Sequence, residues 1–294
     1  MTNKEYLEAI LQQQTLAPGS SELVALQQHR EDVAGLLQEH FGDVPQIREG
    51  GSKAKGTMIK ESYDLDLTCY FPHDADDADA SLEELYGSVE EALRTKYQTQ
   101  RKGCAIRLQD AEAGTDFHID VVPGRFVDGE DGDVFLYPSS GDKERLKTNL
   151  DVHIRNVRNS KVIDAIRLMK LWRERNRITV KTFALELLVI KLLKEKKDKP
   201  LADQLMHVWN KLKENTEIAI EDPANPTGND LSDLLNDGVR VTLSSSADTT
   251  LQTIEQSGLQ IVFGEVESDE KARTAAIKRI VQSSPAPARP WSRG

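Results

Sequence analysis

The spacing of apolar residues predicts two helices at the start of the chain. The first covers about 4–14, and Pro18-Gly19-Ser20 separates it from a longer helix over about 21–41. The apolar stripe of the longer helix consists of Leu23, Leu26, Val33, Leu37 and Phe41. Gly42 follows this stripe and ends the helix. We expect the N-terminal helix to form a spine along the back of both lobes of the molecule.

The pattern then changes to short segments that favour β-strands. Strands are predicted over 45–49, 63–71, 103–109 and 116–122, and one helix is predicted over about 81–97. Residues 112–115 have the composition of a hairpin turn, and 124–141 is polar and rich in Gly and Asp, which is typical of a surface loop. This half of the chain therefore mixes strands and helices.

The second half of the chain has a helical pattern. Helices are predicted over 160–176, 182–195 and 199–214, from near Asn229, and over about 268–282. Pro and Ser dominate the end of the chain, which predicts an unstructured tail. The resulting fold class is α+β, with a mixed-sheet core over 1–158, a helical lobe over 159–282 and a flexible tail over 283–294.

Composition narrows the possible functions. The chain has 294 residues, a net charge of -11 and a pI near 5.2, so broad non-specific binding of nucleic acid is disfavoured. Its two cysteines show no CxxC spacing, and its six histidines show no zinc-like spacing. No window of 18 apolar residues and no apolar leader are present. We therefore expect a cytoplasmic protein that does not enter a membrane.

One segment combines a small-residue loop with two carboxylates. Gly51-Ser52-Lys53-Ala54-Lys55-Gly56-Thr57 precedes Asp64-Leu65-Asp66 at the start of a predicted strand. Residues i and i+2 of a strand share a face, so Asp64 and Asp66 are expected to point the same way. Backbone N–H groups of such a loop can hold a triphosphate, and carboxylates can hold divalent metal ions.

A two-metal site needs a further carboxylate on a neighbouring strand. Asp120 lies near the end of the predicted strand 116–122, before Val121-Val122-Pro123, and Asp116 is the alternative. Two divalent ions about 4 Å apart can hold the attacking and leaving oxygens of a nucleotidyl transfer in line. The order and strand context of Asp64, Asp66 and Asp120 therefore predict a Mg2+- or Mn2+-dependent nucleotidyltransferase site.

These motifs resemble those of a known family. The loop, Asp64, Asp66 and Asp120 are similar to the catalytic motifs of bacterial CD-NTases of anti-phage (CBASS) systems, relatives of cyclic GMP-AMP synthase and oligoadenylate synthetase. Three later segments, 166–172, 181–188 and 222–229, resemble the helical lobe of that family. The resemblance implies a DNA polymerase β-like nucleotidyltransferase core, followed by an oligoadenylate synthetase-like helical lobe.

The resemblance also implies residue roles. Gly51, Ser52 and Thr57 would lie at the phosphates, Lys170 and Thr182 would reach the triphosphate, and Phe183 would stack on a base. The residues alone favour a solvated helix face for Lys170 and a core position for Phe183, and Thr182 could be the N-cap of the following helix. Glu186 lies in an apolar run and needs a partner, most simply a salt bridge, and Asn229 is most simply an N-cap.

The implied activity joins NTPs, ATP among them, into a cyclic di- or trinucleotide with release of pyrophosphate. The alternatives are an RNA-directed tailing enzyme or a toxin-type enzyme that modifies protein or tRNA. No zinc insertion or basic spine is visible in the sequence, so double-stranded nucleic acid is not expected as an activator. We expect a monomer whose tail, ending in Gly294, is available to a regulatory or ligase protein.

Overall fold

The computed structural model describes residues 1–74, 81–109, 118–215 and 217–266. The α-helices are α1 Asn3–Gln13, α2 Ser21–Phe41, α3 Gly51–Lys55, α4 Leu82–Arg94, α5 Leu150–Arg158, α6 Ile163–Arg175, α7 Thr182–Leu192, α8 Leu201–Lys213 and α9 Asp237–Ser257. The strands are β1 Gln46–Glu49, β2 Leu65–Phe71, β3 Gln98–Lys102, β4 Ala105–Gln109, β5 Ile119–Phe126, β6 Val134–Leu136 and β7 Leu146–Thr148. Two 3-10 turns, Ser232–Leu235 and Leu259–Ile261, flank α9.

The strands form one mixed sheet, as predicted. Its central order is β1-β2-β5-β4-β3, and β6 and β7 extend from β5. The β2–β5 pair is parallel, and the other pairs are antiparallel. Parallel pairing needs a crossover connection, and α4 lies within that connection. The two central strands thus start at the same edge of the sheet.

Local sequence signals explain the helix starts. The side chain of Ser20 accepts a hydrogen bond from the backbone N–H of Leu23 at the start of α2. Ser81 and Glu84 form a reciprocal capping box at the start of α4. The structure confirms α2 over the predicted range, and it confirms α1 and α4 within a few residues.

Buried side chains form two main clusters. The sheet core lies between one sheet face and the helices α2 and α4, and a smaller group around Tyr70 and Phe126 covers the other face. The helical core consists mainly of side chains from α1 and from α6 to α9. The buried residues of α1, Tyr6, Leu7, Ile10 and Leu11, all belong to the helical core. The N-terminal helices are thus divided between the cores instead of forming one support for both.

Several sequence predictions were wrong in detail. The predicted loop 124–141 contains the end of β5 and all of β6, and α5 begins before the expected helical half. The helix expected near Asn229 starts at Asp237, after a 3-10 turn. The predicted turn 112–115, the alternative carboxylate Asp116, the final helix 268–282 and the tail lie outside the described residues. The division at 158/159 stays a prediction.

The described helices give no evidence of a membrane span, since each lacks either the length or the apolar character to cross a bilayer.

Candidate active site

Asp66 and Asp120 stand side by side at the shared edge of the sheet. They are register partners on the parallel strands β2 and β5, so their side chains point to the same face. Asp64 lies immediately before β2, two residues from Asp66, and the backbone N–H of Leu65 donates to His118 O at 3.1 Å. The structure therefore brings the three predicted carboxylates to one place.

The predicted phosphate loop is a short helix, α3, packed against Asp66. The backbone N–H of Gly50 donates to Asp66 O at 2.8 Å, and Gly51 follows with a φ of +54°. A Cβ atom at Gly51 would overlap the carboxylate of Asp66. Glycine is thus required here both for its backbone conformation and for the closeness of the carboxylate.

A cavity of about 210 Å³ lies between the carboxylates and the helical core. Most of the predicted nucleotide-binding residues line it. The complete lining is Gly51, Ser52, Lys55, Ser62, Asp64, Asp66, Lys170, Thr182, Phe183 and Glu186. Sequence reasoning did not assign Lys55 or Ser62 to this site. The cavity lining combines the carboxylates of Asp64, Asp66 and Glu186 with two amines and with hydroxyl groups.

A polar network in the wall of the cavity joins α3 to α6 and α7. Lys55 Nζ donates to Glu186 Oε2 at 2.8 Å, and Thr57 Oγ1 donates to Glu186 Oε1 at 2.7 Å. Lys170 Nζ donates to the backbone oxygen of Thr57 at 2.9 Å. Thr57 is fully buried and does not line the cavity, which corrects its predicted place at the phosphates. The prediction of a salt bridge for Glu186 is confirmed.

Thr182 and Phe183 lie at the start of α7 and face the cavity. Thr182 is the first residue of α7, and Lys181 is the N-cap, so the N-cap interpretation of Thr182 is wrong. The hydroxyl of Thr182 accepts a hydrogen bond from Arg173, a second cation that sequence reasoning did not assign to the site. The Phe183 ring is half-buried against the helical core and meets His153 edge to face at 5.1 Å.

Arg107 holds the third carboxylate. It lies on β4 in register with Asp120, and its Nε and Nη2 donate to the two carboxylate oxygens at 2.8 and 2.7 Å. Sequence reasoning missed this residue, because its signal is cross-strand register, which the pattern within β4 does not reveal. Both oxygens of Asp120 are thus engaged by a bidentate ion pair.

Burial and mutual repulsion disfavour the ionised forms of the carboxylates in the site. Burial, together with the charges of Asp120 and Asp64, raises the pKa of Asp66 to about 6. Burial also raises the pKa of Asp64, and Asp120 adds to that effect. Burial lowers the pKa of the Lys170 amine to about 8. The carboxylates therefore repel one another, and additional positive charge would stabilise their ionised forms.

The donor chemistry of this site fits a divalent cation. Among the described residues, no group of three acidic, histidine or cysteine side chains is gathered as a metal-binding cluster. Asp120 is turned to Arg107, while Asp64 and Asp66 line the cavity with raised pKa values. Carboxylate oxygens are the ligands that Mg2+ prefers, and a cation there would offset their repulsion. Metal binding by Asp64, Asp66 and Asp120 stays a prediction.

The segment 222–229 ties the helical core to the sheet. Asn229 Nδ2 donates to Asp222 Oδ2 at 2.7 Å and to the backbone oxygen of Lys147, on β7, at 2.9 Å. Asp222 Oδ1 lies 3.4 Å from His153 Nε2. Asn229 therefore links the segment 222–229 to strand β7 by hydrogen bonds, and the N-cap interpretation is wrong.

Comparisons with known proteins place the fold. No protein-family model matches the sequence, and a search of curated proteins found no match. Among solved structures, *E. coli* MS115-1 CdnC with ATP is 18% identical with a TM-score of 0.64, covering 91% of this chain and 99% of that one. *Bradyrhizobium diazoefficiens* CD-NTase CdnG with GTP is 15% identical with a TM-score of 0.66, covering 93% and 97%.

A third similar structure is *Vibrio cholerae* DncV, a cyclic AMP-GMP synthase, at 16% identity and a TM-score of 0.59, covering 91% of this chain and 86% of that one. The similarity extends over both the sheet core and the helical core. The mixed sheet, its place beside the helical core and the coverage of these matches agree with the sequence-based fold prediction. The chain thus has the nucleotidyltransferase fold of the bacterial CD-NTases.

Proposed function

We propose that this protein is a metal-dependent nucleotidyltransferase that makes a cyclic di- or trinucleotide from NTPs, ATP among them. The observation that carries the proposal is the in-register pairing of Asp66 with Asp120 beside a cavity that Asp64 and Asp66 line together with two amines. The fold supports it, since *E. coli* CdnC is described with ATP and *V. cholerae* DncV as a cyclic AMP-GMP synthase.

The cations that line the cavity suit a triphosphate. Lys55 and Lys170 line it directly, and Arg173 reaches it through the hydroxyl of Thr182. Ser52 at the start of α3 adds a hydroxyl beside them. We assign these residues to binding and orienting the triphosphate, and the Phe183 ring to stacking on a base.

The proposed reaction is a direct displacement at phosphorus. A ribose hydroxyl oxygen of the acceptor nucleotide forms a bond to the α-phosphorus of the donor, and the bond from that phosphorus to the bridging oxygen of the β-phosphate breaks. Pyrophosphate leaves, and the hydroxyl proton passes to Asp120 or to water. Divalent ions held by the three carboxylates would neutralise the charge that develops on the attacking and leaving oxygens. In a further transfer within the linear product, a ribose hydroxyl oxygen bonds to the α-phosphorus of the remaining 5′-triphosphate, a second pyrophosphate leaves and the ring closes.

The biological setting is also a proposal. The CD-NTase fold favours a role in anti-phage signalling, with the protein acting as a cytoplasmic monomer. The *E. coli* CdnC of one similar structure is in a complex with HORMA-deltaN. By analogy, a regulatory or ligase protein acting at the C-terminal tail of this chain stays part of the proposal.

The test is synthesis by the purified protein. We would incubate it with the four α-32P-labelled NTPs and Mg2+ or Mn2+, treat the product with phosphatase and separate it by thin-layer chromatography. A phosphatase-resistant product that needs ATP is expected. Asp64→Asn should abolish it, while Asp131→Asn, an exposed acid on a distant loop, should leave it unchanged.

Two results would contradict the proposal. One is a phosphatase-resistant product that Asp64→Asn forms at the wild-type rate. The other is labelling of added RNA or protein without any cyclic product, which would favour the tailing or toxin-type alternative.

A further inference from the structure

A second cleft lies outside the candidate active site, between α5 and the end of α7. Its volume is about 550 Å³, and none of the residues that line the active-site cavity line it. Small-molecule sites typically have volumes of about 300–1,000 Å³, so the cleft has room for a nucleotide-sized ligand. The proposed nucleotidyl transfer assigns no role to this cleft.

Three cations converge on the cleft from two separate segments. Arg155 comes from α5, and Lys194 and Lys197 come from the turns that follow α7. In the sequence, the lysines belong to a run in which acidic residues alternate with them, and that run reads as a helix end. In the structure, Glu195 and Asp198 from the same run do not line the cleft. The fold thus separates the two signs of charge.

These cations lack salt-bridge partners in the part of the chain that the structure describes. Across the described ranges, neither Arg155, Lys194 nor Lys197 forms an ion pair. Asp151 interacts electrostatically with Arg155, but its carboxylate already accepts two hydrogen bonds from Arg48. In a chain of net charge -11, three exposed cations that share one surface without a salt bridge to any described residue favour the binding of an anion there.

The other residues that line the cleft indicate the chemistry of the part of the ligand that carries no phosphate. Ile190 and Pro223 supply apolar surface, and Asn156 and Asn159 supply amide groups that can donate and accept hydrogen bonds. A ligand with phosphates at one end and a flat, partly apolar group at the other would use both parts. A nucleoside polyphosphate has this chemistry.

We propose that this cleft is a second binding site, separate from the active-site cavity, for a small phosphate-bearing nucleotide. Residues of this cleft are close neighbours in sequence of residues that contact the active-site cavity, so binding in the cleft can affect the active site. On α5, Arg155 lies in the cleft, while His153, two residues earlier and on a different helix face, contacts Phe183. Pro223 of the cleft directly follows Asp222, the partner of His153.

The test locates binding directly. The wild-type protein in EDTA would be photolabelled with 8-azido-ATP and mapped by peptide mass spectrometry, and ATP and inorganic tripolyphosphate would be titrated by calorimetry. The cleft variant is Lys194→Gln with Lys197→Gln. The control is Lys102→Gln with Lys199→Gln, which removes the same charge from exposed lysines that do not line the cleft.

We expect labelled peptides from 150–160 or 190–197 in the wild type and the control, and their loss in the cleft variant. Affinity for tripolyphosphate at this site should fall about a hundredfold in the cleft variant alone, because two charge-assisted contacts are removed. Thermal melting verifies folding, and Asn156→Asp, which adds a negative charge to the cleft, is a second variant with the same expected loss.

Labelling confined to the active-site cavity, or equal loss in cleft and control variants, would overturn the proposal. Binding of a single-stranded 20-mer that depends on the cleft lysines, without binding of ATP or tripolyphosphate, would also overturn it, since the surface would then serve nucleic acid.

Discussion

Lys55 and Glu186 form a buried ion pair, with 2.8 Å between Nζ and Oε2, that joins the helix beneath the carboxylates to α7. The side chain of Glu186 is 1% exposed and that of Lys55 is 12% exposed. Thr57 binds the other oxygen of Glu186, and Lys170 binds the backbone of Thr57. The position of α3 against Asp66 therefore depends on charges supplied by the helical core.

This pair predicts strong coupling between two substitutions. Lys55→Met leaves Glu186 buried without its cation and should cost about 3 kcal/mol of unfolding free energy, and Glu186→Gln should cost about 2 kcal/mol because Lys55 can turn to the cavity. The double variant should cost clearly less than the sum. Urea unfolding of all four proteins measures this. Additive costs would show that the pair is not coupled.

Lys53→Met is the matched control for Lys55→Met. Lys53 lies on the same short helix and pairs with Glu49 at 2.6 Å, but both side chains are partly exposed, at 29% and 25%. Exposed pairs contribute about 0–1 kcal/mol, so this substitution should change stability by less than 1 kcal/mol.

The close approach of Gly51 to Asp66 predicts that a side chain at position 51 abolishes activity, whereas backbone strain alone would not. Gly51→Ala places a methyl group on the Asp66 carboxylate, which must move, so synthesis should be lost. Gly56→Ala serves as the control. Gly56 has a φ of +77° and open space around its Cβ position, so only backbone strain of about 1 kcal/mol is expected.

Product formation and thermal melting of both variants separate the two effects. We expect similar losses of stability from backbone strain, with activity retained only in Gly56→Ala. Retained activity in Gly51→Ala would show that Asp66 does not need its observed position.

We expect the substitution of Arg107 to change metal affinity and turnover in opposite directions. Because it engages both oxygens of Asp120, Arg107→Gln should free that carboxylate and remove a nearby positive charge, so affinity for Mn2+ should rise severalfold. Turnover should fall, because Asp120 loses the bidentate contact that fixes its orientation. Electron paramagnetic resonance of free Mn2+ and the labelled-NTP assay give the two readouts.

Arg101→Gln is the control for Arg107→Gln. Arg101 lies on β3 and pairs with Glu90 on α4. Its removal should change neither Mn2+ affinity nor turnover. An equal effect of both variants on Mn2+ binding would indicate a general change of charge and would contradict a specific role for Arg107.

The sequence predicted those parts of the site that depend on local pattern. The strand spacing of Asp64 and Asp66 and the strand containing Asp120 were enough to expect that they meet, and the structure places Asp66 and Asp120 in register. The apolar stripe of α2 predicted its full length. Both signals are spacings between residues of one segment, so each can be recognised from that segment alone.

Contacts between distant segments could not be predicted from the sequence. Arg107 reaches Asp120 through the register of β4 on β5, and Lys55 reaches Glu186 across 131 positions in sequence. The apolar sequence around Glu186 indicated only that its carboxylate needs a partner, without indicating which residue. The 3-residue strands β6 and β7 were missed because they are too short to show alternation.

The buried amine of Lys170 predicts a pH dependence of ATP binding. Burial lowers its pKa from 10.5 to about 8, so the charged amine is penalised in the folded protein, and stability should rise as pH increases from about 8 to 10.5. ATP affinity should change in the opposite direction, because the neutral amine loses its attraction for phosphate. We expect affinity to fall from about pH 8 upward, by about tenfold at most, as one charge-assisted contact is lost. Calorimetric titration of ATP in EDTA between pH 7 and 9 measures this, with Lys170→Arg as the variant that stays charged. The same decline in folded Lys170→Arg would assign the pH dependence to another group.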